Sequence, residues 1–182
     1  MDKINLNDYD VTILSQKQLA VFKVHNPSLI SNFEYNMNKD LIKHNLPGLF
    51  DFNLYINWGR ERTDMKFIKG VYFLFVVNKI KSHIISASRI YIKKTGHLFN
   101  LKKVNIGKYV IIDTMIIKPK YRDDKLIKLM INNIISFFKK SQYNTLVVNL
   151  KLTNALAIKC YRELKFKCIA FDDIDCIMYK EI

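Results

Sequence analysis

Residues 109–126 read Tyr109-Val110-Ile111-Ile112-Asp113-Thr114-Met115-Ile116-Ile117-Lys118-Pro119-Lys120-Tyr121-Arg122-Asp123-Asp124-Lys125-Leu126. Tyr109–Ile117 is an almost uninterrupted apolar run of strand length, which predicts a strand covered on both faces. Pro119 stops it, because proline has no N–H to give to a ladder. From Asp124 the period changes. Leu126, Leu129, Met130, Asn133, Ile134 and Phe137 recur every three or four residues and predict a helix over Asp124–Lys140. Asp123 and Asp124 at its start and Lys139-Lys140 at its end match the sign of the helix dipole. Asp113 is the lone acid of the strand, and a carboxylate there is costly unless paired or functional. Two readings stand together: Asp113 takes a proton in catalysis, or it faces solvent or pairs with a base such as Arg89.

Working outward, the elements stay legible on the C-terminal side. Thr145–Leu152 reads as a strand, Thr153 or Asn154 can cap a helix running to about Leu164, and Phe166–Ala170 and Cys176–Lys180 read as two closing strands. Towards the N-terminus, His83–Ile92 and Val71–Val77 are strands joined by a turn at Asn78-Lys79, and Thr95-Gly96 breaks the former. Val11–Leu14 reads as a short strand. Gln16–Val24 is a helix with Ser15 as N-cap, ended by Pro27, and Ser31–His44 is a second helical stretch before a Pro47-Gly48 turn. No repeat or linker divides the 182 residues, so one domain, 1–182, is expected.

Two segments of the second half resemble the GNAT superfamily of acyl-CoA-dependent N-acyltransferases. One is Ile116-Ile117-Lys118-Pro119-Lys120-Tyr121-Arg122 followed by a helix, similar to the family's strand, P-x-Y-R turn and glycine-rich helix start. The other is Asn154 to Phe166, in which Asn154, Ala157, Tyr161 and Phe166 fall in register with N-x-x-A-x-x-x-Y-x-x-x-G-F. The resemblance covers about residues 71–182. It implies an α/β (α+β) fold, with a central mixed, mostly antiparallel sheet flanked by helices. It also implies acetyl or acyl transfer from acetyl-CoA (acyl-CoA) to an amine, with no metal.

The resemblance further implies a role for each matching residue. The pyrophosphate would dock at the helix start, Arg122, Asp123, Asp124, Lys125, Leu126, Ile127 and Lys128, where unpaired N–H groups and the dipole favour an anion. Here Lys125 and Ile127 stand at the family's glycine positions and Asp123 at another, which predicts weaker binding; Lys125 and Lys128 would offset the two carboxylates. The strand after this helix would splay from the one before it, with the pantetheine arm pairing with Ile116, Ile117 and Lys118. Asn154 would lie near that arm or cap its helix. Tyr161 would protonate the leaving thiolate, a fitting task for a phenol with a reference pKa of about 10; its other reading is a ring packed on the sheet. The base would be Asp113, with Glu34, Asp51 and Glu61 as further acids. The aromatic stretch Phe50, Phe52, Tyr55 and Trp58 reads mainly as core, with Trp58 also a possible lining of the acceptor pocket.

Composition narrows the function. The net charge of +14 admits a nucleic acid, an anionic surface or a polyanionic cofactor. Of the 30 basic residues only five are Arg, leaving 30 − 5 = 25 Lys, and Arg is the residue suited to bidentate phosphate and base recognition. A small-molecule amine acceptor, simplest an amino sugar, is therefore preferred to an RNA or acidic-protein acceptor, and a catalytically silent CoA-binding module is the other alternative. Cys160, Cys168 and Cys176 form no CxxC pair and read as small buried side chains; His25, His44, His83 and His97 show no ligand spacing. No apolar run reaches membrane-spanning length and the polar start suggests no secretory signal, so a cytoplasmic protein without a membrane partner is expected, a homodimer being possible.

Overall fold

The computed structural model describes residues 5–43, 68–93, 108–171 and 173–182. A seven-stranded sheet runs through them. Its strands are β1 (Tyr9–Ser15), β2 (Ile68–Asn78), β3 (His83–Lys93), β4 (Tyr109–Ile117), β5 (Thr145–Lys151), β6 (Lys167–Phe171) and β7 (Asp175–Glu181), in the order β1-β2-β3-β4-β5-β7-β6. Every neighbouring pair is antiparallel except β4 and β5, which are parallel and joined through a helix. A parallel pair needs such a crossover, because its second strand must start at the same end as the first. The expected mixed, mostly antiparallel sheet is therefore the one observed.

Four described helices cover the two faces: α1 (Gln16–His25), α2 (Pro27–Lys43), α3 (Asp124–Lys139) and α4 (Ala155–Glu163). Leu74 and Val76 point towards α3 and α4 and join Leu126, Met130, Ile134, Phe138 and Tyr161 in one core. Their neighbours Phe73 and Phe75 point the other way and join Leu19, Ile30, Phe33 and Met37 of α1 and α2. The period-two alternation of β2 thus feeds two cores at once.

Local chemistry sets the helix ends. Ser15 and Gln18 form a reciprocal capping box at the start of α1, an arrangement worth about 1 kcal/mol in typical hosts. Pro27 does not merely end α1; it occupies the first position of α2, where its missing N–H costs nothing. The second helix therefore begins a turn earlier than Ser31. In α3 the buried face is Leu126, Ile127, Met130, Ile131, Ile134 and Phe138, so the core phenylalanine is Phe138 and not Phe137, which is exposed. Both aromatic residues fit a helical period, and only the sheet beneath decides between them. The β2–β3 turn spans residues 79–82, with Asn78 still in the strand and its side-chain oxygen accepting the Lys81 N–H at 2.8 Å. The readings placed on Pro47-Gly48, Phe50, Asp51, Phe52, Tyr55, Trp58, Glu61 and Thr95-Gly96 lie outside the described residues.

Candidate active site

The site begins where the parallel pair ends. Strands β4 and β5 are paired from Tyr109 opposite Thr145 to Ile112 opposite Val148, and no further. Both strands continue: β4 remains bonded to β3 as far as Ile117, and β5 to β7 as far as Lys151. A wedge therefore opens between them. Burial changes at the same place. Asp113 to Ile116 are only half-buried, and β5 turns outward at Asn149. The expectation that β4 is covered throughout thus fails over its second half.

The cause of the divergence is visible in the β3–β4 register. Ile90 opposes Ile112 and Arg89 opposes Thr114, so Asp113 is an extra residue, a β-bulge. A bulge bends its strand and increases the local twist. It falls at the first residue beyond the last β4–β5 pair.

The ladder also decides which backbone groups face the wedge. The Lys118 N–H donates to the Ile85 carbonyl at 3.0 Å. In an antiparallel ladder the bonding direction alternates. Thr114, Ile116 and Lys118 thus point their peptide groups at β3, while Met115 and Ile117 point theirs into the wedge. The Lys118 carbonyl is engaged as well, accepting from the Tyr121 N–H at 2.8 Å in the 3-10 turn Pro119–Tyr121. Of Ile116, Ile117 and Lys118, only Ile117 turns its peptide N–H away from β3, its carbonyl accepting from Arg122, and Met115 turns its own groups the same way. No sequence signal distinguishes Met115 from Ile116, because the bulge at Asp113 resets the alternation.

Chain direction brings the start of α3 to the far end of the same strand. Asp123 is the N-cap, its Oδ1 accepting the Lys125 N–H at 2.6 Å. Arg122 folds back so that its Nε donates to the Ile117 carbonyl at 3.3 Å. Asp124 pairs with Lys128 at 3.3 Å, and Lys128 reaches on to Glu163 of α4 at 2.5 Å. The Lys128 ammonium holds the Asp124 carboxyl below its ordinary pKa. Lys128 is thus spent on Asp124 and Glu163, while the Lys125 side chain is exposed. Ile127 closes the first helical turn on the Asp123 carbonyl at 3.2 Å and buries its side chain, so it adds no polar group. The amides of Asp124 and Leu126 belong to the first turn, where no intrahelical acceptor exists.

Helix α4 presents Tyr161. Asn154 caps this helix, its side-chain oxygen accepting the Ala157 N–H at 3.2 Å, so of its two expected roles the structure shows the cap. Tyr161 is 1 % exposed and its ring meets Phe166 edge-on, centroids 4.9 Å apart. Burial pushes the phenol well above its usual pKa, so the hydroxyl keeps its proton. Its packing is the core role anticipated as the alternative, and the retained proton is what a donor needs. The contact is fixed by the helix end: Lys165 adopts a left-handed φ of 66° and the Phe166 N–H returns to the Tyr161 carbonyl at 3.0 Å. This is a Schellman-type stop, normally glycine's place.

Asp113 is not isolated. The fully buried Arg89 donates through Nε to its Oδ2 at 3.0 Å and also through Nη2, and the Thr114 hydroxyl donates to the same oxygen at 2.8 Å. The bulge and the ion pair coincide, so the pairing with Arg89 considered from sequence is realised. Glu34 lies on α2, away from these strands in sequence and half-buried. Near the end of β4, His83 Nε2 lies 3.2 Å from the Tyr121 hydroxyl, and burial followed by the charge of Lys118 lowers its pKa. Among the described residues no group of three or more His, Cys, Asp or Glu could hold a metal ion.

No family model matches the chain, and no curated protein matches it by sequence. Solved structures do match in fold. NAA60 of Arabidopsis thaliana, solved with a bisubstrate analogue, superposes with a TM-score of 0.61 at 14% identity, over 95% of this chain and 98% of that one. An acetyltransferase of the GNAT family from Listeria monocytogenes gives 0.58 at 12% identity, covering 96% and 95%. The putative acetyltransferase yncA from Salmonella typhimurium, solved with acetyl-CoA, gives 0.53 at 11% identity, covering 96% and 94%. The chain therefore has the fold of the GNAT acetyltransferases along almost its whole length.

Proposed function

We propose that this chain is an acyl-CoA-dependent N-acyltransferase, with acetyl-CoA as the simplest donor and a small-molecule amine, such as an amino sugar, as acceptor. The observation that carries the reading is the wedge between β4 and β5: two parallel strands that part after Ile112 and Val148, with a helix N-terminus at one end and a buried phenol on the following helix. Structures of the same fold that bear the name acetyltransferase support it.

The residues present fit such a donor. Met115 offers its N–H and C=O along the wedge and Ile117 its N–H, the Ile117 carbonyl accepting from Arg122; an extended amide-bearing arm can use these groups as a missing strand would. The first-turn amides at Asp124 and Leu126 suit a pyrophosphate. The carboxylate of Asp124 is offset by Lys128, and that of Asp123 is turned to its own helix. When bound, the donor supplies the thioester. Tyr161 then holds a proton for the departing sulfur, its phenol kept neutral by burial. Asp113 accepts a proton from the amine or orders the water that does, with Arg89 fixing its orientation. Asn154 contributes by starting α4 in the register that presents Tyr161.

A silent CoA-binding module is the second reading, favoured by Asp123, Lys125 and Ile127 at the family's glycine positions. An acceptor on a protein or RNA is a further one, favoured by the +14 charge. Thermal shift with acetyl-CoA and longer acyl-CoAs tests the donor, because a ligand of the folded state alone raises its melting point. Acetylation of an amine panel then tests turnover. A shift with turnover on small amines is the expected result. A shift without turnover on any amine leaves the binding module, and no shift with any acyl-CoA overturns the proposal. Turnover restricted to protein or RNA, falling steeply with salt, moves the acceptor to that class.

A further inference from the structure

Strands β6 and β7 form the sheet's far hairpin and carry two of the three cysteines. Cys168 opposes Met178, and Cys176 lies two residues before Met178, so the two thiols share one face of the hairpin. Their sulfur atoms are 3.2 Å apart. That contact is closer than two unbonded sulfurs need to be, and closing it to a bond requires only a small movement of two side chains on strands already joined by hydrogen bonds. Cys168 is exposed and Cys176 buried, while Cys160 lies in the α3–α4 core with its thiol against the Asp124 carbonyl. We infer that Cys168 and Cys176 are an oxidation site, forming an intramolecular disulfide across the β6–β7 hairpin when the protein meets hydrogen peroxide.

The chemistry divides between the two thiols by exposure. The Cys168 sulfur, giving up its proton, attacks one oxygen of hydrogen peroxide; an S–O bond forms, the O–O bond breaks, and the departing hydroxide takes that proton and leaves as water. The Cys176 sulfur then attacks Cys168 Sγ; the S–S bond forms, the S–O bond breaks, and hydroxide departs with the Cys176 proton as a second water. Two thiols and one hydrogen peroxide give one disulfide and two waters. Burial, and then the hydrogen bond with Cys168, push the Cys176 thiol up to about 11. It is therefore protonated at neutral pH, so the exposed thiol reacts first and ring closure becomes faster as pH rises. The product ties β6, an edge strand held in the sheet by β7 alone, to its neighbour.

The test is peroxide treatment of the reduced full-length protein, followed by alkylation and peptide mass analysis. Trypsin cuts after Lys167 and Lys180, leaving both cysteines in one peptide, and an aspartate-specific protease cuts between them. The expected tryptic peptide is lighter by two hydrogens and unalkylated, and after the second digest its halves stay joined until reduced. Cys160→Ser should oxidise at the same rate, and Cys168→Ser should leave Cys176 alkylatable. Conversion of Cys168 to sulfinic or sulfonic acid with no cross-link, a bond that includes Cys160, or a bond only between two molecules each overturns the inference.

Discussion

Ile112 and Val148 are the last residues through which β4 and β5 are paired, and the bulged Asp113 follows Ile112 at once. Everything that distinguishes this sheet from a closed one turns on that junction. The wedge is lined by peptide groups that a strand would normally satisfy, and the proposed acyl-CoA site rests on them.

Amide hydrogen exchange reads the wedge directly. The amides of Met115 and Ile117 lack a strand partner, whereas those of Ile116 and Thr114 face β3. Without ligand, Met115 and Ile117 should exchange much faster than their neighbours, and acetyl-CoA should slow them selectively. Uniform protection along residues 113–117 in the free protein would show that the wedge is closed.

Tyr161→Phe separates packing from chemistry. The ring keeps its contact with Phe166, and the hydroxyl has no hydrogen-bond partner among the described residues, so the melting point and acyl-CoA affinity should barely change. If the hydroxyl acts in the transition state, kcat falls by about 10²–10⁴-fold, the usual contribution of a general acid. Full turnover in this variant removes Tyr161 from the mechanism.

Arg89→Met leaves the Asp113 carboxylate half-buried without its cation. Breaking such a pair costs about 3–5 kcal/mol, because the surviving charge is left uncompensated. Arg89→Met with Asp113→Asn should recover a large part of that loss in chemical denaturation. A double variant no more stable than the single would show that Arg89 acts through packing alone.

Lys165→Gly should stabilise the fold. Lys165 holds φ at 66°, which costs a side-chain residue about 1–2 kcal/mol and glycine little, against the extra unfolded-state entropy of glycine. The net gain should be about 0.5–1 kcal/mol, seen as a rise of about 1–4 °C in Tm for a chain of this size. An unchanged or lower Tm would mean that the Lys165 stem contributes packing that offsets the strain.

His83 makes stability depend on pH. Its folded pKa is lowered, first by burial and then by Lys118. Between that lowered value and about 6.5 the unfolded chain binds more protons than the folded one, so stability falls as pH drops through this window. Urea titrations at descending pH should show the loss, and His83→Gln should flatten it over that range. An unchanged slope would place the proton uptake elsewhere.

The elements and several of their ends are legible in local residue order. The period change at Asp124 marks α3 to within a residue of its observed end, Ser15 is the cap expected, Asn154 is the cap of the two candidates Thr153 and Asn154, and Tyr109–Ile117 is the strand with the bounds expected. These features depend on neighbours within a turn or a strand, and such interactions are written in local order. The rest depends on contacts between distant segments. Whether Asp113 meets Arg89 depends on two strands 24 positions apart in sequence, and whether Met115 or Ile116 faces the wedge depends on a bulge that shifts the ladder by one residue. The choice of Phe138 over Phe137 depends on the sheet beneath α3, and the contact of Cys168 with Cys176 on the β6–β7 register. In each case the residue type is compatible with two placements, and the burial and hydrogen bonding of a distant segment select one.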